Sequence, residues 1–317
     1  MTWNARVQGL TESILTWRKR RRMWKKEKQR RKSVVRDWSE AILSAVLIVL
    51  LINQYLLQAY MIPSPSMVPT LEVRDRIFVN KLVYGPELIP SLAKVGGFRT
   101  PRRGEVIIFE SPSYVSRGPA IDVLQRVVYM LTLSLVDIDR DEYGQPKHHF
   151  LIKRAIGMPG DRLRFGKGDI QIQRRGESAW VDETRVKEDI GIRYPTIRRY
   201  TPGDYAAFKR VAVSATLRQN NLPARDAGVA SASGDEYYMD SWAARAQYEI
   251  NPANSLYRNA WSRYDRGFVI GSDELLPLGD NRDNSADGRY FGPVKLRKVL
   301  GRGLFKYWPL VRIGGIR

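Results

Sequence analysis

The sequence predicts a mostly β protein, with an antiparallel β body, an inserted β-rich second lobe and an N-terminal transmembrane helix as a tether. Three observations predict this fold class. A dense basic segment near the N-terminus is followed by an apolar run. Beyond that run, short stretches rich in β-branched and aromatic residues recur between Gly and Pro turn signals. Helical periodicity is scarce there, and 317 residues suffice for one large domain or two modest ones.

The first element is a basic arm at residues 1–37. It carries thirteen Lys or Arg residues against three acidic residues, and so holds half of the formal net charge of +20. A basic segment directly before an apolar helix is what the positive-inside rule and anionic lipid headgroups favour. An arm that binds RNA or DNA is the alternative interpretation. We predict a cytoplasmic arm and no nucleic-acid partner.

Residues 38–60 are predicted to form a transmembrane signal-anchor helix. Their strongly apolar part, residues 41–52, is too short for a hydrocarbon core of ~30 Å, but the following residues extend it to a workable length. Trp38 and Tyr60 then fall near the two interfaces, where aromatic rings prefer to lie. A buried core helix and a cleavable signal peptide are the alternatives, although no small-x-small site follows. An anchor places residues 1–37 inside and the rest of the chain outside.

Residues 61–317 are predicted to form the extracytoplasmic body. Its β-rich runs lie between turn signals at residues 76–83, 105–109, 150–156, 170–173, 236–239 and 268–270. The stretch at about residues 165–272 is more polar and has no chemical motif, so we expect an inserted lobe there. A second apolar patch at residues 123–136 is interrupted by Arg126, and it suits either a core segment or a surface that dips into lipid.

Four segments combine polar residues in patterns that could carry chemistry: residues 63–71, 75–85, 153–161 and 279–289. The first contains Ser66, and the third begins with Lys153. A serine is a nucleophile only if a base takes its proton, and a lysine that burial keeps neutral can be that base. Each of these features has an ordinary interpretation when it is taken by itself. Ser66 would be a turn residue, Lys153 a solvated surface lysine, and the run at residues 279–289 a polar or cation-binding loop.

The four segments, in this order behind an apolar helix, resemble the signature of bacterial type I signal peptidases, which are Ser–Lys serine proteases. The resemblance covers about residues 38–292, and it departs from the usual pattern at Gly288, where many members carry Ser. It implies a membrane-bound endopeptidase that removes N-terminal signal peptides from exported preproteins after a small-x-small motif. The implied location is the bacterial inner membrane, crossed once, with the N-terminus cytoplasmic and the body outside.

The resemblance and the chemistry of the side chains agree on Ser66 as nucleophile and Lys153 as general base. An ordinary lysine pKa of about 10.4 leaves fewer than about one molecule in a thousand neutral near pH 7. Burial must therefore desolvate the ammonium, and apolar neighbours such as Ile152 and Ile156 are suitable. Ser64 is a candidate hydroxyl donor to the oxyanion, beside the Ser66 N–H.

By resemblance, further residues support this pair. Ser285 is implied to hydrogen-bond and orient Lys153, and Asp287 and Arg289, with Arg154, are implied to form a charged network around it. The implied partners are exported preproteins and membrane lipid, with the secretion translocon as a further candidate.

We expect no cofactor and no metal. His148 and His149 are adjacent, are the only histidines, and have no cysteine to join them in a zinc site. A Ser-His-Asp triad is a weaker alternative to the Ser–Lys pair. The acidic run at residues 137–141 begins like an EF-hand loop but lacks the required Gly and terminal Glu, and no P-loop is present.

Two competing functions remain open. One is a Ser–Lys relative with a narrower task, such as processing of conjugation-pilus subunits or self-cleavage as in SOS-type repressors. The predicted anchor and the lack of a helical DNA-binding domain argue against the repressor class. The other is a non-catalytic membrane protein that binds nucleic acid through its basic arm.

Overall fold

The computed structural model describes residues 16–24, 27, 34–89, 93–114, 118–132, 136, 138, 149–224 and 234–316. The chain divides into one unit that ends at Leu51 and a larger unit, Ile52–Arg317. Most of the predicted arm at residues 1–37, the acidic residues at 137–141 and His148 lie outside the described residues.

Helix α1, Val34–Tyr55, contains the apolar run, and most of its side chains are exposed. None of the helices in the described part of the chain is both long enough and apolar enough to cross a membrane. The prediction of a helix through Tyr60 is wrong at its C-terminal end, because the chain forms strand β1, Leu57–Met61. Tyr60 pairs with Ile77 and is 2% exposed. Strand pairing and burial in the core therefore stabilise extended backbone there.

The body is built on an eight-stranded antiparallel sheet. Besides β1, the strands of the body are β2 (Arg76–Asn80), β3 (Glu87–Ile89), β4 (Ala93–Lys94), β5 (Val106–Glu110), β6 (Phe150–Gly157), β11 (Glu274–Leu278), β12 (Val294–Lys295), β13 (Val299–Trp308) and β14 (Gly314–Gly315). The large sheet has the order β1-β2-β13-β5-β6-β11-β12, with β14 paired to β13, while β3 and β4 form a separate pair. This confirms the antiparallel β body, and the runs predicted at residues 76–83, 105–109 and 150–156 each coincide with a strand.

Strands β5 and β6 are inner strands of this sheet and are largely buried. Val106 and Ile108 of β5 belong to one apolar cluster, whereas Ile107 and Phe109 belong to another. Because successive side chains of a strand point to opposite faces, the two clusters cover the two faces of the sheet. Each fully buried aliphatic or aromatic side chain contributes about 1.5–3 kcal/mol to folding. The neighbouring β6, which carries Lys153, is therefore held firmly inside the body.

The described part of the second apolar patch, up to Leu131, lies in helix α2, Pro119–Leu131, and residues 133–135 lie outside the described residues. Met130 is buried and Tyr129 packs against the core, whereas Val123 and Leu124 are exposed. This part of the patch is thus a helix with one side packed on the core. Short 3₁₀ turns lie at Pro65–Met67, Arg282–Asn284, Leu296–Lys298 and Leu310–Arg312.

The inserted lobe is predominantly helical, so the prediction of a β-rich lobe is wrong. It contains a four-stranded sheet of β7 (Arg162–Gly166), β8 (Asp169–Gln173), β9 (Val181–Asp182) and β10 (Phe268–Val269). Between β9 and β10 lie helices α3 (Glu183–Asp189), α4 (Pro202–Gln219), α5 (Glu236–Ile250) and α6 (Ser255–Arg266). A last short helix, α7 (Gly288–Phe291), belongs to the run that follows β11.

The strand predicted at residues 236–239 is instead the first turn of α5. Its two Tyr side chains favour strands locally, but Asp235 caps the helix by accepting a hydrogen bond from the Tyr238 N–H at 3.1 Å. Helix α4 likewise begins with a capping box between Thr201 and Asp204. Aromatic rings of α4 and α5 pack together in a buried cluster. Packing between helices therefore outweighs the strand propensity of single residues.

Candidate active site

Ser66 lies in the 3₁₀ turn Pro65–Met67, shortly after the edge strand β1. Pro65 occupies the start of the turn, where its fixed φ and missing N–H are tolerated. Met67 and Leu71 are buried in the core cluster and anchor the loop beyond the serine. Ser66 itself is 7% exposed. The loop therefore holds the hydroxyl in a defined position that is largely shielded from water.

Lys153 lies in β6, where it pairs with Ile107 of β5. Its Nζ donates to the Ser66 Oγ at 2.7 Å and to the Ile152 carbonyl at 3.1 Å. The residue is 3% exposed, and burial lowers its pKa to about 8, against the opposing effect of the Asp287 and Asp280 carboxylates. At pH 7 roughly a tenth of such a lysine is neutral. The fold thus brings together the two residues that the sequence predicted as a pair.

Ser64 lies beside the same hydroxyl. Its Oγ donates to the Ser66 Oγ at 3.2 Å, and its own backbone is extended. The predicted oxyanion donor is therefore two residues from Ser66 in sequence and within hydrogen-bond distance of it in space.

Ser285 is placed differently from the expectation. Its Oγ is buried and has no hydrogen-bond partner among the described residues, so the expected bond to Lys153 is not formed. The hydroxyl faces Gly279 instead. A Cβ added to Gly279 would lie 2.2 Å from the Ser285 Oγ and 2.5 Å from the Ser66 carbonyl oxygen. Ser285 thus lies close to the Ser66 turn, and only glycine at position 279 leaves room for both.

The three residues expected to form one charged network, Asp287, Arg289 and Arg154, belong to two separate ion pairs. In the first, the Arg289 Nε donates to the Asp287 Oδ1 at 2.9 Å, and the Gly279 N–H donates to the Asp287 Oδ2 at 2.9 Å. Burial by itself would raise the pKa of Asp287, but Arg289 and this N–H outweigh it and hold the pKa below its usual range. Asp287 is therefore a buried carboxylate close enough to act on Lys153 electrostatically.

In the second pair, the fully buried Arg154 binds Asp280 through Nε at 2.8 Å and Nη2 at 2.6 Å. Asp280 lies in the run at residues 279–289, and the sequence assigned no separate role to it. Nothing local distinguishes Asp280 from the other two aspartates of that run as the partner of Arg154. Such a bidentate pair satisfies both buried charges, and removing one partner would leave the other uncompensated.

Asn281 is a second residue that sequence reasoning missed. Its N–H donates to the Ser66 carbonyl at 3.0 Å, and its side-chain Nδ2 donates to the Pro65 carbonyl at 3.2 Å. Both bonds fix the 3₁₀ turn on the run at residues 279–289. The sequence signal was its position inside that run.

His149, the alternative base, is buried with its ring 3.8 Å from the Tyr114 ring. The Ser66 hydroxyl is hydrogen-bonded to the Lys153 amine and not to this imidazole. Within the described ranges, no group of three or more His, Cys, Asp or Glu side chains is arranged to hold a metal ion.

The family model described as signal peptidase, peptidase S26, matches residues 35–308. The chain belongs to this family. Signal peptidase I of Aquifex aeolicus is 45% identical over 272 residues, which cover 83% of this chain and 80% of the relative. Signal peptidase I of Pseudomonas aeruginosa is 27% identical over 278 residues, covering 86% of this chain and 69% of the relative. The prediction of a type I signal peptidase is confirmed, and the chain is a hydrolase of that class.

The departure from the signal peptidase pattern at Gly288 has a structural reason in this chain. Gly288 is the first residue of α7 and packs against β11. A Cβ at this position would lie 2.8 Å from both the Pro277 carbonyl oxygen and the Leu276 Cδ1. A serine at this position would therefore require the backbone of β11 or α7 to shift.

Proposed function

We propose that this signal peptidase removes N-terminal signal peptides from exported preproteins, with Ser66 as nucleophile and Lys153 as general base. The observation that carries the proposal is the 2.7 Å contact between the Lys153 Nζ and the Ser66 Oγ in a buried site. Proton transfer requires this proximity, and the lowered pKa of Lys153 supplies a neutral fraction near pH 7.

In the proposed reaction, the neutral Lys153 takes the proton of the Ser66 hydroxyl as Oγ attacks the scissile carbonyl carbon. The Ser64 hydroxyl and the Ser66 N–H donate to the oxyanion of the tetrahedral intermediate. The intermediate collapses, the peptide C–N bond breaks, and the Lys153 ammonium returns its proton to the leaving amine. A water molecule, deprotonated by the same amine, then hydrolyses the acyl-enzyme ester and regenerates the serine.

The surrounding groups are proposed to maintain this pair. Two ion pairs, Arg289–Asp287 and Arg154–Asp280, order the run at residues 279–289 and give its Asp287 and Asp280 carboxylates a positively charged partner. Those carboxylates partly offset the effect of burial on Lys153, so its pKa stays near the working pH. The Ser285 hydroxyl, which bonds to none of the described residues, is proposed to orient the Lys153 amine during the reaction.

The free side of β6 suits an extended peptide substrate. In the described part of the chain, β5 pairs with β6 from Phe150 to Arg154, whereas β11 pairs with it only from Arg154 onwards. The stretch of β6 before Lys153 is therefore paired with a neighbouring strand, β5, on one side only. A peptide paired there would present alternate side chains to the protein, and shallow pockets at two alternate positions would select a small-x-small motif.

We further propose that α1 anchors the enzyme in the bacterial inner membrane, with residues 1–37 cytoplasmic and the body outside. A helix of 22 residues is about 33 Å long, comparable with a hydrocarbon core of ~30 Å, although its apolar stretch from Ile42 to Ile52 is shorter than that core. Its apolar side chains from Ile42 to Ile52 are mostly exposed. On the body, Leu310, Val311 and Ile313 are also exposed, and we propose lipid as their partner. A secretion translocon is a further candidate partner.

The test is to incubate the detergent-solubilised full chain with a preprotein and to sequence the new N-terminus. Cleavage after a small-x-small motif is expected, together with its loss in Ser66→Ala, which removes one hydroxyl and leaves the fold intact. Retention of more than a few per cent of the rate in that variant would exclude Ser66 as the nucleophile. Cleavage confined to pilus subunits would favour the narrower Ser–Lys relative.

A further inference from the structure

The inserted lobe contacts the active-site run directly through residues 197–200, which lie between α3 and α4. The Ile197 N–H donates to the Asp280 carbonyl at 2.9 Å, and the Ile197 carbonyl accepts from the Arg282 N–H at 3.1 Å. These bonds form a short parallel bridge between Ile197 and Asn281. One residue of the lobe thus holds the backbone on both sides of Asn281.

Asp283 strengthens this contact from within the run. Its side chain is fully buried and accepts from the backbone N–H groups of Arg199 at 2.5 Å and Tyr200 at 3.0 Å. The Arg198 Nε donates to the same carboxylate at 3.1 Å. A buried carboxylate requires such donors, and here the inserted lobe supplies them.

Arg282 forms the third link. Its two terminal nitrogens bind the Glu183 carboxylate of α3 at 2.7 and 2.6 Å, while its Nε donates to the Gly279 carbonyl at 2.9 Å. Glu183 is held in turn by the Tyr194 hydroxyl at 2.6 Å. The side chains of this ion pair are 3% and 12% exposed, so it is largely removed from solvent.

The same short run contacts the nucleophile on its other side. Asn281 lies between the lobe and the 3₁₀ turn, because it bridges to Ile197 and also donates to the carbonyls of Ser66 and Pro65. A displacement of residues 197–200 would therefore be transmitted through Asn281 to the Ser66 turn.

We propose that the inserted lobe positions the nucleophile: residues 197–200, held by Asp283 and by the Glu183–Arg282 pair, set the place of Asn281 and thereby the orientation of the Ser66 hydroxyl toward Lys153. Asp283 and Glu183 are positioning residues, because they touch neither the substrate nor the reacting atoms. The inference rests on the proposed function, in which Ser66 and Lys153 carry the chemistry. It assigns a catalytic purpose to a lobe that has no chemical motif of its own.

Two aspartates of the same neighbourhood provide a matched comparison. Asp283→Ala removes the carboxylate that joins residues 199 and 200 to the active-site run. Asp204→Ala removes a carboxylate that accepts from the Thr201 N–H at 2.7 Å and caps α4 within the lobe. Both changes affect backbone hydrogen bonds of adjacent residues, but only Asp283 belongs to the run at residues 279–289.

The full chain in detergent is assayed with a peptide that contains a small-x-small site. Asp283→Ala is expected to lower kcat by about 10–100-fold with KM unchanged, because a misplacement of about 1 Å at a reacting group has this effect. Its pH profile should shift upward, since a loosened turn lets water reach Lys153 and raises the pKa toward its ordinary value. Asp283→Asn, which keeps an acceptor for the two backbone N–H groups, should recover most of the rate. Asp204→Ala should change neither kcat nor the pH profile.

Hydrogen exchange at the Asn281 and Arg282 amides tests the contact without requiring catalysis. Exchange should be faster in Asp283→Ala than in the unsubstituted chain or in Asp204→Ala. If Asp283→Ala does not fold, Glu183→Gln loosens the same contact from the lobe and should lower kcat in the same direction. Unchanged kcat, pH profile and exchange in an active enzyme overturn the positioning role. Faster exchange in a chain that cleaves no preprotein supports the contact and overturns the proposed function instead.

Discussion

Lys153 is expected to set the pH dependence of the reaction. Burial lowers its pKa to about 8, and only the neutral amine can accept the Ser66 proton. Below that pH, kcat/KM should rise about tenfold per unit, and it should level off above it. At pH 6 the rate is therefore expected to be about a hundredfold below the plateau.

Burial of the Lys153 ammonium also destabilises the folded state, because the charged form loses its hydration. Lys153→Met removes this charge. The pKa falls from 10.5 to about 8 on folding, and each unit corresponds to about 1.4 kcal/mol, so the cost is about 3 kcal/mol below pH 8. Between pH 8 and 10.5 the unfolded chain binds more protons than the folded protein, so the stability of the unsubstituted chain rises with pH across that window. Lys153→Met should be inactive and about 3 kcal/mol more stable near pH 7, with the difference vanishing above the window.

Urea unfolding in one detergent, followed by tryptophan fluorescence across this pH range, measures the stability difference, and peptide cleavage measures the rate. A Met variant that is no more stable than the unsubstituted chain at pH 7 contradicts the argument from burial. Lys153→Arg separates charge from chemistry, because guanidinium stays protonated at any usable pH. It should be as inactive as Lys153→Ala, and substantial cleavage by the Arg variant would end the Ser–Lys proposal.

Three further outcomes are expected. Ser64→Ala should lower kcat by about 10–1000-fold if its hydroxyl serves the oxyanion, and an unchanged rate removes that role. Gly279→Ala should reduce both the melting temperature and kcat, because its Cβ would lie 2.5 Å from the Ser66 carbonyl oxygen; Gly203→Ala, whose Cβ has no neighbour closer than 3.7 Å, is the control. Protease added to the outer face should spare residues 1–37, and cleavage there would invert the proposed orientation.

Local sequence signals predicted the strands of the body and also β8 and β10 of the inserted lobe, but they missed the helices of that lobe. The runs that became β2, β5 and β6 combine apolar, β-branched residues with flanking turn signals, so their local preference and their tertiary burial agree. In the lobe, Tyr237 and Tyr238 have strand propensity, yet the Asp235 cap and packing between helices place them in α5. The position of Tyr60 beside an apolar run predicts a helix there. In the structure, pairing with β2 holds the backbone at Tyr60 in an extended conformation instead.

The sequence by itself determined the chemistry available to this protein: a serine in a proline-stiffened loop, a lysine on an apolar strand, and a polar run rich in aspartate, all in the order typical of one family. The catalytic assignment of Ser66, Lys153 and Ser285 stays a prediction. The resemblance to that family predicted the pairing of Lys153 with Ser66, which are separated by 87 residues of sequence and lie in hydrogen-bond contact in the structure. Only the tertiary structure decided that Arg154 pairs with Asp280, across 126 residues. Burial, which lowers the pKa of Lys153, arises from packing between distant strands, and no local pattern of residues encodes it.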